Sequence, residues 1–300
     1  MKKKLLIVPA LFFVNLTQAQ NVIINNDIPR TANTLEYETG KPKAFSFLTH
    51  VPNDLFQISK SPFQKKNLKN LCVLAAVSTV LIIADQPIYN AVKKFSGNIH
   101  FHSAEKNKTI WSIKTGNRET VLLKAPRNLN TGFYNLGQGF TTLIVAAGLY
   151  VDGKISKNNR ALQTASDFTE SFISLGIITQ VLKYATGRED PSVASKRNGA
   201  WHPFPSLSSF QNNKTHYDAF PSGHLSTLMA AVTILANNYP HSRLIKPIGY
   251  TLVGLTSLAM INNGVHWAGD YPLAIGLGYL AGNIITSRHK HTLKRAQAEL

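Results

Sequence analysis

Cysteine is almost absent from this chain. One cysteine, Cys72, occurs among 300 residues, which excludes an intramolecular disulfide. It lies inside the apolar run LCVLAAVSTVLIIA, so we interpret it as a small packed hydrophobe. No carboxylate cluster accompanies the histidines of HFH at 100–102 or of RHKH at 288–291. Because metal sites combine several ligands, we predict no metal and no cofactor.

Acidic residues are scarce relative to basic ones. The chain contains 15 Asp and Glu residues against 32 Lys and Arg residues, a formal net charge of +17 at pH 7. Such an excess favours anionic partners, namely phosphates, acidic lipid headgroups or nucleic acid. Charge alone does not separate these partners from a simple contribution to solubility.

The first residues indicate export. MKKKLLIVPALFFVNLTQAQ has three lysines, an apolar core from Leu5 to Val14 and a small-residue ending. This order is typical of a secretory signal peptide, here cleaved after about Ala19; an uncleaved anchor is the alternative. We therefore expect the protein in the cell envelope, with its active site facing the periplasm. Nucleic acid becomes the least expected of the anionic partners.

The chain changes character near residue 70. Polar residues predominate in 20–70, and apolar runs follow at 71–84, 139–151, 168–185, 225–239, 244–263 and 271–287. The runs are too long for strands and predict an all-α fold, a bundle of about six helices over 71–288 with an irregular N-terminal arm. Between the first two runs, TIWSIKTG and TVLLK predict a short hairpin.

Four parts follow from this pattern. They are the signal peptide (1–19), a polar arm (20–70), a first helix with a basic polar insert (71–134) and a helical core with a basic C-terminal tail (135–300).

The apolar runs are short for membrane spans. A span needs about 20 mostly apolar residues, and the mean hydropathy of −0.07 is low for a polytopic protein. If 71–84 does not cross, spans at 135–151, 168–186, 225–239, 244–263 and 271–287 leave three basic segments inside. That distribution agrees with the positive-inside rule. We prefer an embedded bundle, and a soluble periplasmic bundle is the alternative.

Polar residues interrupt the apolar pattern in three places. These are QVLKYATGREDP at 180–191, FPSGH at 220–224 and NNGVHWAGDYP at 262–272. Helix ends and junctions of this kind can lie at one end of a bundle. We therefore expect seven residues to converge there: Lys183, Arg188, Ser222, Gly223, His224, His266 and Asp270.

Four of these residues suit phosphate binding. Free N–H groups at a helix N-terminus bind phosphate oxygens, and Gly223 lets an anion approach the backbone. Ser222 adds a hydroxyl donor. Lys183 and Arg188 supply positive charge, and a guanidinium can hold two phosphate oxygens at once.

The other three residues suit phosphoryl transfer. His266 and Asp270 are four residues apart and would share one face of a helix. An Asp that binds one ring nitrogen leaves the other nitrogen free to attack, while His224 can protonate the leaving oxygen. Taken singly, the residues have ordinary alternatives: a helix cap at His224, a helix pair with Asp270 as N-cap, and a snorkelling Lys183. Together they predict a metal-independent phosphatase.

The three segments resemble the signature of the type 2 phosphatidic acid phosphatase family, which shares its fold with bacterial acid phosphatases and vanadium haloperoxidases. PSGH at 221–224 matches the second motif, and HWAGD at 266–270 matches the end of the third. Lys183 and Pro191 match the ends of the first. The resemblance covers roughly 135–287. It implies a helical bundle, a phosphohistidine on His266, His224 as the acid, and phosphate held by Lys183, Ser222 and Gly223.

Two arginines of the family pattern are missing. Asp190 stands where the first motif has its arginine, and Met260 stands at the corresponding position of the third. Losing one donor to a developing charge can slow an enzyme roughly 10²–10³-fold. Our hypothesis at this point is that Arg188, helped by Lys196 or Arg197, restores the phosphate cage.

Three functions follow from this pattern. The first is hydrolysis of a phosphomonoester or diphosphate, on a phosphorylated lipid or a small phosphoester at the membrane. The second is a weak or inactive envelope protein that binds anionic lipid. The third, a vanadate-dependent haloperoxidase, is disfavoured by the missing arginines.

Overall fold

The computed structural model describes residues 40–101, 103, 107–115 and 118–298. The signal peptide predicted for 1–19 lies outside the described residues. The helices are α1 (Ser46–Thr49), α2 (Val51–Lys60), α3 (Lys65–Asn98), α4 (Leu129–Gly137), α5 (Gly139–Ile155), α6 (Asn159–Thr186), α7 (Leu207–Asn212), α8 (Gly223–Asn238), α9 (Ile245–Asn263) and α10 (Tyr271–Ala298). The strands are β1 (Asn107–Thr115) and β2 (Arg118–Pro126).

The predicted all-α architecture is confirmed. Each of the six apolar runs lies in a long helix, namely α3, α5, α6, α8, α9 or α10. The helices extend beyond the runs because polar residues continue the same backbone hydrogen bonding at their ends. The short hairpin is confirmed as well: β1 and β2 pair antiparallel, from Asn107 opposite Pro126 to Thr115 opposite Arg118.

The arm predicted to be irregular is helical where the structure describes it closest to the bundle. Helix α2 begins with a proline in its first turn and buries Val51, Asp54 and Ile58. That spacing of three and four residues gives one buried face, despite the polar composition that misled the prediction. Arg288 of α10 forms ion pairs with Asp54 of α2 and with Glu170 of α6. These ion pairs tie the arm to the bundle.

Helix α8 forms the centre of the bundle. It packs against α6, α9 and α10, and its apolar side chains bury with those of α9 and α10. The shared core includes Leu225, Met229, Val253, Met260, Tyr271 and Ala274. Because α8 begins at Gly223 and α6 ends at Thr186, this packing brings the segments that carry the predicted site residues to one end of the bundle.

Within the described residues, one helix is long and apolar enough to cross a membrane. This is α3, which has a mean hydropathy of 2.0 over its best window, with 11% of that window buried. The predicted five-span arrangement left out α3 and used helices that this criterion does not select. Helices α5 and α8, with 17 and 16 residues, are shorter than a typical span.

The α8–α10 contact leaves no room for a side chain at Gly278. A Cβ there would lie 2.3 Å from the Ser226 carbonyl oxygen and 2.9 Å from the Met229 Cβ. We expect Gly278→Ala to lower the free energy of unfolding by about 1–3 kcal/mol, because the helices must separate. Gly254→Ala is the matched control, since nothing lies within 4 Å of its Cβ position, and it should be neutral or slightly stabilising. Thermal unfolding followed by circular dichroism measures both; equal Tm values for the two variants would contradict this packing.

Candidate functional site

Backbone hydrogen bonds hold the three predicted segments together. The segment after α6 is joined to the next by a bond from the Ala219 N–H to the Arg188 carbonyl, at 3.0 Å. The Ser222 N–H lies 3.3 Å from the Asp270 carbonyl, which links the second segment to the third. Gly187 turns the chain out of α6 with a φ of 56°, and a Cβ there would lie 1.9 Å from the His202 carbonyl oxygen. Only glycine meets both conditions.

Ser222, predicted as a hydroxyl donor to phosphate, is the N-cap of α8. The Ser222 hydroxyl accepts a hydrogen bond from the Leu225 N–H at 3.4 Å and lies 3.8 Å from the Met260 sulfur. Ser222 is completely buried, so its side chain serves as an N-cap facing the core. Gly223 leaves space above the helix mouth: a Cβ there would be 4.0 Å from the Lys183 Nζ. An anion at this helix N-terminus would contact the free backbone N–H groups of the first turn and the Lys183 ammonium.

Lys183 is the cation that reaches the site. It comes from the last turn of α6, and its Nζ lies 3.5 Å from Asp218 Oδ2. Lys183 is 6% exposed, and a buried ammonium needs an opposite charge. Asp218, which sequence reasoning missed, supplies this partner.

His266 is oriented by a backbone carbonyl. Its Nδ1 lies 2.8 Å from the Ala219 oxygen, and since a carbonyl can only accept, Nδ1 carries the proton. The other ring nitrogen, Nε2, is buried and has no hydrogen-bond partner in the described part of the chain. Burial, joined by the charge of Lys183, lowers the pKa of His266 to about 3. The ring is therefore neutral at pH 7, with a free lone pair on Nε2.

His224 stands beside His266. The two rings meet edge to face with their centroids 5.7 Å apart, and the Tyr134 ring packs on His224 at 5.3 Å. Burial, followed by the proximity of His266 and Lys183, lowers the pKa of His224. Both histidines are thus neutral in the free protein, and their rings are in contact.

Asp270 holds the chain around His266. Its Oδ2 accepts the Trp267 N–H at 2.7 Å and lies 3.6 Å from the His266 Nδ1, beyond ordinary hydrogen-bond distance. The predicted helical spacing of His266 and Asp270 is wrong, because only Ala268–Asp270 is helical and forms a 3₁₀ turn. Burial raises the pKa of Asp270 to about 6 against the opposing charge of Arg188. It is a carboxylate at pH 7.

Arg188 is engaged by two carboxylates. Its Nη1 donates to Asp270 Oδ1 and its Nη2 to Asp85 Oδ2, both at 2.5 Å. The guanidinium is completely buried and lies 4.9 Å from the ring centroid of Trp201 and 5.5 Å from that of Trp267. This geometry commits Arg188 to an ion triad rather than to the phosphate cage that we expected. Lys196 and Arg197, expected to assist it, are exposed.

Asp85 completes the triad from α3. It is completely buried, and its Oδ1 accepts the Gly269 N–H at 2.8 Å. Sequence reasoning missed it, although a single carboxylate in the apolar stretch LIIADQPIY is a signal for a buried ion pair. Asp85 therefore connects the one helix that meets the membrane criterion to the loop that carries His266.

The two family arginines are replaced by side chains of other kinds. Met260 is completely buried in the α8–α9 core, so no cation approaches from that position. Asp190 is 3% exposed, and burial, followed by repulsion from Asp218, raises its pKa to about 9. No group of three His, Cys, Asp or Glu side chains in the described ranges is arranged to hold a metal ion.

Comparison with known families gives a match to the helical core of the chain. Residues 165–293 match the family described as the PAP2 superfamily. We call residues 165–293 the PAP2 segment, because they are similar to this superfamily. The match contains all seven predicted site residues and begins at 165, later than the 135 expected from the motifs.

Two solved structures are similar to the chain that carries this PAP2 segment. Aquifex aeolicus LpxE is 19% identical over 53% of this chain and 83% of its own, with a TM-score of 0.39. The first transmembrane PAP2 type phosphatidylglycerolphosphate phosphatase from Bacillus subtilis is 14% identical over 82% of this chain and 97% of its own, with a TM-score of 0.37. Among curated proteins, none matches the chain significantly.

The triad makes Arg188 a stability determinant of the PAP2 segment. Arg188→Ala would leave Asp85 and Asp270 as unpaired buried carboxylates, so we expect a loss of about 3–5 kcal/mol in the free energy of unfolding. The exposed Arg197→Ala is the control and should change stability by less than about 0.5 kcal/mol. Urea unfolding measures both. A variant at 188 that is as stable as the one at 197 would contradict the triad.

Proposed function

We propose that the protein is a metal-independent phosphatase that hydrolyses a phosphomonoester or diphosphate through a phosphohistidine on His266. The observation that carries the proposal is the buried, unpartnered Nε2 of His266, on a ring held by the Ala219 carbonyl and facing His224. A neutral imidazole with one nitrogen tied down and the other free is a nucleophile. The similarity of residues 165–293 to the PAP2 superfamily supports the same chemistry.

The helix mouth receives the phosphoryl group. The phosphoryl oxygens accept hydrogen bonds from the free N–H groups at the start of α8 and from Lys183. Lys183 leaves Asp218 to bind the substrate. His266 Nε2 then attacks phosphorus, an N–P bond forms and the P–O bond to the leaving group breaks. The positive end of the helix stabilises the negative charge that spreads over the phosphoryl oxygens.

His224 moves the proton. A bound phosphate places negative charge beside the ring, which raises its pKa from the lowered value of the free protein. In its protonated form His224 donates to the leaving oxygen, so the alcohol departs neutral. As a neutral base it then takes a proton from water, whose oxygen attacks phosphorus. The N–P bond breaks and inorganic phosphate is released. His224 then returns to the solvent the proton that it had taken up when the substrate bound, so both histidines are neutral again.

Arg188 and Asp270 act by positioning. In this proposal Arg188 does not bind phosphate, as the sequence predicted, but positions Asp270. Arg188 holds Asp270 at 2.5 Å, and Asp270 fixes the turn that follows His266 through the Trp267 N–H. The catalytic ring therefore stays aligned with the mouth of α8.

A lipid phosphate is the substrate class that the structure favours. Helix α3 meets the length and composition criterion for a membrane span, and its Asp85 contacts the Arg188 of the site. A site attached directly to such a helix reaches phosphates at the membrane surface. The excess of basic residues adds attraction to an anionic surface. Together with the signal peptide pattern, this supports an envelope enzyme with its site on the periplasmic side.

One observation favours a second function, anionic-lipid binding with little or no turnover. Arg188 is engaged by carboxylates, and Asp190 and Met260 replace the two family arginines. Lys183 is thus the cation that the described site offers to phosphate, and transition-state charge is stabilised less than in a cage with arginines. A folded protein that binds anionic vesicles and releases no phosphate would establish this alternative.

Removal of the nucleophile should abolish turnover. We expect the mature protein to release phosphate from a lipid phosphate with EDTA present, and His266→Ala to reduce kcat by at least about 10³-fold. His241→Ala, at an exposed histidine outside the site, is the control and should match the unmodified protein. Acid-labile, base-stable ³²P on the protein would identify the phosphohistidine. Turnover that survives in His266→Ala, or that EDTA removes, would contradict the mechanism.

Removal of the acid should depend on the leaving group. We expect His224→Ala to lower kcat about 10²–10⁴-fold on a lipid phosphate, whose alkoxide needs a proton. The rate of the phosphorylation step should fall less on an aryl phosphate, because a phenolate leaves without a proton. Burst-phase phenol release compared with the steady state separates that step from hydrolysis of the phosphohistidine. An equal loss in this step for both substrates would contradict the acid role of His224.

A further inference from the structure

Asp190 presents a buried polar atom that the mechanism above does not use. It follows α6 in the segment braced by the Asp190 N–H, which donates to the Thr215 carbonyl at 2.8 Å. The side chain is 3% exposed, and its Oδ1 has no hydrogen-bond partner among the described residues. A buried polar atom without a partner costs about 1–3 kcal/mol. Such a cost at a candidate active site indicates a group that is satisfied by the ligand.

The surroundings of Asp190 disfavour its anionic form. Asp218 and Asp270 are close enough to repel a charge on its carboxylate, while Lys183 attracts it, and burial outweighs them all. Lys183 comes from α6, Asp218 from the strand-like segment before PSGH and Asp270 from the 3₁₀ turn. Lys183 is already paired with Asp218 at 3.5 Å. The pKa of Asp190, raised to about 9, lies above neutral pH, so the group is a carboxylic acid there.

A neutral carboxylic acid is a hydrogen-bond donor to phosphate, whereas a carboxylate repels it. We infer that Asp190 binds the substrate phosphoryl group through its acid O–H, at the position where the family signature has an arginine. This inference rests on the proposed function. It also explains how a carboxyl group is tolerated at a buried position close to Asp218 and Asp270. The donor carries no charge, so it contributes less to binding than a guanidinium.

The acid form gives the site an alkaline limit. Above the pKa of Asp190 the O–H is lost and a negative charge appears beside the phosphate. Phosphate binding and turnover should therefore fall as the pH rises through about 9. An amide at this position keeps a neutral donor and does not titrate, which makes Asp190→Asn the informative variant.

The experiment compares Asp190→Asn, Asp190→Ala and the unmodified full chain, with Asp152→Asn as a control outside the site. We expect kcat/KM at pH 7 to stay within about tenfold in Asp190→Asn and to fall roughly 10²-fold in Asp190→Ala, as for a lost oxyanion donor. The alkaline decrease should be present in the unmodified chain and in Asp152→Asn, and should weaken in Asp190→Asn. A purely structural Asp190 would leave the pH profile unchanged.

Binding of inorganic phosphate tests the inference without turnover. Calorimetry between pH 8 and pH 10 should show a loss of affinity in the unmodified chain that is at least about fivefold larger than in Asp190→Asn. The contribution of Lys183 is common to both and cancels in the ratio. Identical pH dependence in the two proteins would overturn the inference. If the protein releases no phosphate but this difference is present, the proposed catalysis fails while the role of Asp190 stands.

Discussion

The ion triad of Arg188 with Asp85 and Asp270 is the interaction on which the site depends. Three completely buried charged side chains come from α3, from the segment after α6 and from the turn before α10. Each charge would be costly alone, and together they are compatible with burial because every carboxylate faces the guanidinium. The triad therefore requires all three elements to be in place at once. It couples formation of the site to packing of the bundle.

Because of this triad, the residue that stabilises the site, Arg188, differs from the groups that would bind phosphate. In a cage with free arginines, positive charge would face the phosphate. Here the guanidinium is engaged between two tryptophan rings and two carboxylates, and the mouth of α8 and Lys183 face the ligand space. His266 and His224 are neutral in the free protein because they are buried beside Lys183. A proton becomes available to His224 when an anion binds, so the site is suited to act on a bound phosphate.

Much of the fold was predictable from local pattern. The six apolar runs, the hairpin and the Pro-Ser-Gly-His helix start each depend on neighbours within a few residues, and each is present in the structure. The helical arm was missed because its apolar positions, such as Val51 and Ile58, are few and are buried by contacts with α6 and α10 that are distant in sequence.

The residue types of the three motif segments, which are visible in the chain, indicate the class of chemistry. Tertiary structure decided what each residue does there. Arg188 reads as a phosphate ligand in the chain and is an ion-pair partner in the fold, because Asp85 lies about 100 residues earlier and no local spacing reveals it. His266 is oriented by the Ala219 carbonyl at 2.8 Å, a backbone group that every residue carries and that sequence cannot single out. Burial, which sets the protonation of His266 and Asp190, belongs to the whole bundle.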